Sequence, residues 1–154
     1  MALNARYVHT NLTVRDWRRV AAFYCDVFGC VPQPPERHLS GDWIDRLTTL
    51  PGARIRGLHL VLPGFPPGGP TLEIFSYDEM TAAARPVTNE PGFGHLAFAV
   101  NDVEAAVTAV LAAGGGRVGE VATAAVAGVG TLRVAYVRDP EGNILELQNW
   151  SLTR

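Results

Sequence analysis

Several ways of explaining this chain fail for want of the residues they need. Only two cysteines, Cys25 and Cys30, occur in 154 residues, and their spacing matches neither the redox C-x-x-C pattern nor a four-cysteine zinc arrangement. Cys25 falls inside an apolar helical pattern, so both are expected as buried reduced thiols. Positive charge is not in excess either: 13 Lys and Arg against 15 Asp and Glu leave a formal net charge of -2, which removes the electrostatic reason to expect nucleic acid or an anionic membrane. The one close basic group, Arg15, Arg18 and Arg19, lies at a helix start and reads as a solvated face. No window approaches the roughly 18 to 20 apolar residues that span a bilayer, and the opening MALNARYVHT has no apolar core of signal-peptide length. A cytoplasmic location is expected, with no membrane and no nucleic-acid partner.

What remains is an ordinary globular composition, 47% hydrophobic and 18% charged, in a length that suits one compact domain with a well-populated core. The chain also says the same thing twice. YVHTNLTVRDWRRVAAFY from Tyr7 and FGHLAFAVNDVEAAVTAV from Phe93 align His9 with His95, Val14 with Val100 and Asp16 with Asp102, at a constant offset of 86. Each copy is closed by a short run with one glutamate between aliphatics, TLEIF around Glu73 and ILELQ around Glu146. The expected organisation is a single domain over residues 1–154, made of two modules at about 5–78 and 93–150 joined by a linker at 79–92, which has two prolines and no strand pattern.

Period-two alternation predicts a strand at residues 7–14, with Val8, Leu12 and Val14 on one face and His9, Asn11 and Thr13 on the other. Asp16 then caps a helix whose apolar positions Trp17, Val20, Ala21, Tyr24, Val27 and Phe28 recur at helical spacing, and Gly29 ends it. The segment from Val31 to Pro51, poor in periodicity and rich in Pro, Gly and charge, is expected as a long loop, a lid or specificity loop, with one short strand around Trp43 to Leu47. Strands follow at about Ile55 to Leu62 and Thr71 to Tyr77. The second half repeats the plan: strand Gly94 to Val100, cap Asp102, a helix using Val103, Ala106, Val107, Val110 and Leu111, then strands near Arg117 to Glu120, Thr131 to Arg138 and Ile144 to Trp150. The fold class is α+β, two βαβββ modules whose sheets form a cup around a metal site.

The same alternation sends Glu73 and Glu146 to the face opposite their aliphatic neighbours, and His9 and His95 likewise. Two imidazoles and two carboxylates converging on one face would repel as an acidic pair unless a cation neutralised them. Mixed imidazole and carboxylate donors suit Zn, Ni, Co, Mn or Fe(II). Any one of these residues alone is more often a surface or hydrogen-bonded group than a ligand; four that match by repeat and by facing favour a metal site. His59 and Asp45 are weaker candidates for proton transfer, His59 reading better as a half-buried strand histidine and Asp45 as a loop residue bonded to backbone. Trp43, Phe75, Tyr77, Phe93 and Trp150 are candidates to line an apolar pocket, with core packing at least as good an account of Phe75 and Trp150. Arg37 and His38 are given no site role.

The stretches VHTNLTVRD, FYCDVFGC, TLEIFSY, GHLAFAVNDVEAA and YVRDPEGNILEL resemble the vicinal oxygen chelate superfamily, which includes glyoxalase I, methylmalonyl-CoA epimerase, extradiol dioxygenases and the fosfomycin and bleomycin resistance proteins. The resemblance covers nearly the whole chain. It implies metal ligands at His9, Glu73, His95 and Glu146, and the carboxylate at Glu73 leans toward the glyoxalase and epimerase branch. It further implies a divalent-metal-dependent lyase or isomerase that transfers a proton next to a carbonyl through a metal-bound enediolate, with Glu146 or Glu73 as the base. The alternatives it leaves are an Fe(II) extradiol-type dioxygenase and a non-catalytic, antibiotic-sequestering protein. A small-molecule substrate and a homodimer are expected, with the metal site built within one chain or shared across the dimer.

Overall fold

The computed structural model describes residues 3–152, so both ends of the expected 1–154 domain lie outside the described residues. These residues fall into two compact units divided between Ala82 and Ala83.

In the N-terminal unit, β1 (His9–Thr13) runs into α1 (Trp17–Phe28) through Asp16. The Asp16 carboxylate accepts the Arg19 backbone N–H at 3.1 Å, which satisfies one of the donors a helix start leaves without an intrahelical partner. Gly29 ends the helix in the left-handed region at φ 70°, a conformation that a Cβ would penalise. The helix buries Trp17, Val20, Ala21, Phe23 and Tyr24. Next come β2 (Val31–Leu39), α2 (Asp42–Thr48), β3 (Ile55–Val61) and β4 (Thr71–Tyr77). The sheet order is β1-β4-β3-β2, with β1 parallel to β4 and the other pairs antiparallel. The centre of this sheet is the core: Leu60, Leu72 and Ile74 are fully buried, as are Val14, Val20 and Tyr24. Gly57 is required on β3, because a Cβ there would lie 2.0 Å from the Ile74 carbonyl oxygen.

The segment from Val31 to Pro51 is not a loop. VPQPPERHL forms β2, and the place expected to hold a short strand around Trp43 to Leu47 is helix α2. Proline lacks the N–H of a ladder, so a run with three prolines reads poorly as a strand; β2 tolerates them because it is the edge of the sheet and its register shifts between Gln33 and Arg37. Helix α2 buries one side chain, Ile44, and so shows no periodic apolar face in the sequence. Ile44 packs with Ile55 and Phe75 in a small cluster.

The C-terminal unit repeats the plan with β5 (Leu96–Ala99), α3 (Val103–Ala112), β6 (Gly116–Arg117), β7 (Ala122–Val126), β8 (Gly130–Arg138) and β9 (Ile144–Leu152). Its order is β5-β9-β8-β6, with β7 pairing β8 and β5 parallel to β9. The Asp102 carboxylate caps α3 by accepting the Ala105 N–H at 2.9 Å. The strand expected from Arg117 to Glu120 is two residues long, Gly116–Arg117, and β7 carries no sequence signal, since its ATAAV is exposed throughout and shows no alternation. Leu145 and Leu147 are fully buried on β9, with Val103, Val107 and Val110 of α3 also buried. Two βαβββ modules, the first carrying an extra short helix and the second an extra short strand, make the fold α+β. Among the described residues no helix is long and apolar enough to cross a membrane.

Candidate metal centre

Glu73 occupies the middle of β4, between two neighbouring strands. Its ladder partners are Asn11 on β1 and His59 on β3. Leu72 and Ile74 beside it are completely buried, so the pleat turns the carboxylate to the other face, where its side chain keeps 14% of its exposure. Both oxygens are engaged there. Asn11 Nδ2 donates to Oε1 at 2.9 Å, and the Thr13 hydroxyl donates to Asn11 Oδ1 at 2.9 Å, which fixes the amide. His59 Nε2 lies 2.9 Å from Oε2, while His59 Nδ1 is 2.8 Å from the Thr71 hydroxyl.

His9 completes this group, with Nε2 3.8 Å from Glu73 Oε1. The His9 and His59 rings meet edge to face, centroids 5.4 Å apart at 79°. Donor atoms of His9, His59 and Glu73 all lie within 4.8 Å of one another. Burial pushes the His59 imidazole below its ordinary pKa; the Glu73 carboxylate opposes this, while Arg37 and His9 add to it. A neutral imidazole has a lone pair to offer, which is the form a metal takes.

The C-terminal unit builds its own pair at matching places. Glu146 on β9 has ladder partners Ala97 on β5 and Tyr136 on β8, and it too is bracketed by fully buried leucines, Leu145 and Leu147. His95 immediately precedes β5, with Nε2 3.4 Å from Glu146 Oε2. The Tyr136 hydroxyl donates to Glu146, and burial first, then the charge of Glu146, raises the phenol pKa. Its ring stands 5.1 Å from that of His95 at 47°. His95, Tyr136 and Ile144 help to line a cavity of about 320 Å³.

Each unit therefore places one of the expected histidines beside its expected glutamate. Imidazole nitrogens and carboxylate oxygens at these separations form a donor set that fits a divalent first-row ion. Asp45 lies on α2, where its two oxygens accept the Gly52 and Ala53 N–H groups at 2.9 and 3.1 Å, so it is tied to backbone as expected, though from a helix. Among the aromatics, Phe75 is core, Trp43 and Phe93 are exposed, and Trp150 donates to Gln148 Oε1 at 2.7 Å. Tyr77 borders a separate cavity of about 450 Å³ in the N-terminal unit, with Leu50, Arg54 and Met80. Arg37 and His38 lie on the edge strand β2, His38 3.8 Å from Glu36. Two neighbours of the carboxylates were not singled out from the sequence, Asn11 and Tyr136. Asn11 shares the His9 face by alternation, a signal that was legible; Tyr136 needed the β8 to β9 register.

A model of the Glyoxalase/Bleomycin resistance protein/Dioxygenase superfamily matches residues 6–147. The chain is 29% identical over 150 residues to a probable lactoylglutathione lyase of Vibrio parahaemolyticus, covering 94% of this chain and 90% of that protein. Among solved structures it is similar to a glyoxalase family protein from Bacillus cereus, with 22% identity, TM-score 0.78, and coverage of 96% and 97% of the two chains. A fosfomycin resistance protein from Listeria monocytogenes, solved with Mn(II) and sulfate, matches at 16% identity and TM-score 0.54, over 98% of this chain and 96% of that one. At such identities the two structures speak for the fold.

Proposed function

Because the chain belongs to the Glyoxalase/Bleomycin resistance protein/Dioxygenase superfamily, we propose that it is a divalent-metal-dependent lyase or isomerase that moves a proton next to a carbonyl group. The observation that carries this reading is one arrangement made twice: His9 beside Glu73 at 3.8 Å and His95 beside Glu146 at 3.4 Å. His9, Glu73, His95 and Glu146 are assigned as ligands of a Zn, Ni, Co, Mn or Fe ion. When bound, such an ion supplies the positive charge that stabilises negative charge building on a substrate oxygen.

The chain's own residues do the rest. Glu146 or Glu73 takes the proton from the carbon beside the carbonyl and returns it to the neighbouring carbon, so the reaction needs no external oxidant or reductant. Asn11 and His59 hold the Glu73 carboxylate in place, and the Tyr136 hydroxyl does so for Glu146. The substrate is a small molecule, and the name of the Vibrio relative supports a glutathione thioester of a 2-hydroxy acid as product. The protein acts as a cytoplasmic homodimer.

Elemental analysis of the purified chain beside His9→Ala and Glu146→Gln tests the ligand set. Metal near one equivalent is expected in the parent and well below it in both variants. Thioester formation from a 2-oxoaldehyde and glutathione, restored to the metal-free chain by Ni(II), Co(II) or Zn(II), tests the reaction. Unchanged metal content in either variant would remove that residue from the ligand set.

A further inference from the structure

We propose that the N-terminal unit carries a three-donor cation site of its own, made by His9, His59 and Glu73, and that it can hold a divalent first-row ion without any residue of the C-terminal unit. This rests on the reading of His9 and Glu73 as ligands and adds His59 to them.

Spacing is the first argument. Donors about 2.1 Å from an ion lie about 3 Å from each other at right angles and about 4 Å apart when opposite. His59 Nε2 is 2.9 Å from Glu73 Oε2 and His9 Nε2 is 3.8 Å from Oε1, and the three donors stay within 4.8 Å of one another. An ion can enter with small side-chain adjustments.

The surroundings of His59 are the second. A ligating imidazole almost always has its other nitrogen hydrogen-bonded, which sets the ring's orientation and tautomer. His59 Nδ1 has the Thr71 hydroxyl at 2.8 Å, a group that donates and accepts equally well. Because that hydroxyl can serve as donor or acceptor, it would keep Nδ1 hydrogen-bonded whether Nε2 faces Glu73 or an ion. Asn11, itself held by Thr13, orients the carboxylate from the other side.

The matching place in the C-terminal unit lacks a third donor of this kind. Tyr136 stands opposite Glu146 where His59 stands opposite Glu73, and a phenol hydroxyl is not among the imidazole, thiolate and carboxylate donors such ions take. The added donor is thus particular to the N-terminal unit.

The test uses Zn(II) with the full chain, read by competition against a chromogenic chelator and by X-ray absorption at the zinc edge to count imidazoles. A His95→Ala, Glu146→Gln double variant, which loses metal during purification, should still take up one equivalent of added zinc through two imidazoles, more weakly than the parent. Adding His59→Gln should leave one imidazole and weaken binding beyond the roughly 10- to 100-fold that losing an outer partner costs. Circular dichroism should match the parent, and His59→Asn replaces His59→Gln if that chain does not fold. An imidazole count that does not drop on substituting His59, or a double variant that binds no zinc, overturns the proposal and leaves the four-ligand reading standing. Parental zinc affinity in His9→Ala would instead sink that reading itself.

Discussion

In the N-terminal unit the strands flanking Glu73 place Asn11 on one side and His59 on the other; in the C-terminal unit the same register places beside Glu146 hold Ala97 and Tyr136. The strand order, the parallel first pair and the buried aliphatics around each glutamate are common to both units. Asn11 and His59 reach both Glu73 oxygens at 2.9 Å. Ala97 has no polar side-chain atom to offer Glu146, so among the described residues Tyr136 is its one polar partner in register on the flanking strands. A duplicated backbone thus gives equivalent carboxylates, and substitution at two neighbouring positions makes their surroundings unequal. Glu73 has polar partners on both flanking strands, Glu146 on one.

The strongest probe of the shared plan is the pair Leu72→Ala and Leu145→Ala, since both leucines are fully buried beside the glutamates. Each should cost about 2 to 5 kcal/mol in denaturant unfolding, the range for removing a core leucine. A large loss in one and little in the other would show that the two cores are not equivalent. A smaller effect is expected from Asp16→Ala and Asp102→Ala. Each removes the side-chain acceptor at a helix start and should lower stability by about 1 kcal/mol, with matching losses if the caps do the same job in both units.

The smallest effect separates the units by chemistry. Both cysteines belong to the N-terminal unit, and burial, with Cys25 adding to it, pushes the Cys30 thiol from 9.0 up to about 11. The unfolded chain then releases this proton first, so stability should fall as pH rises from about 9 toward about 11. Cys30→Ala should flatten that fall, and iodoacetamide at pH 8 should modify the half-buried Cys25 ahead of the buried Cys30. Alkylation of Cys30 at the rate of an unfolded thiol would contradict its burial.

How legible all this was depended on the kind of pattern. Strands β3 and β4 and the caps Asp16 and Asp102 could be read directly, because each is a local signal: alternation in LEIF, or a carboxylate just before an apolar helical run. Strand β2 could not, because three prolines in nine residues are compatible with a strand only at a sheet edge. Helix α2 could not either, since the single buried Ile44 gives no period to detect. His59 reads as a half-buried strand histidine, which it is, but nothing near it in the sequence names Glu73 as its partner.

By itself the sequence determined the duplication, the α+β class and the facing of His9, Glu73, His95 and Glu146, since a period of two or 3.6 is carried by consecutive residues. Only the tertiary structure decided which side chains stand beside each carboxylate. Asn11 and His59 lie 62 and 14 positions from Glu73 along the chain, and they become its neighbours only when β1 and β3 pair with β4. Hydrogen-bond register across strands is a long-range property, and a one-residue slip would turn every one of these groups to the opposite face.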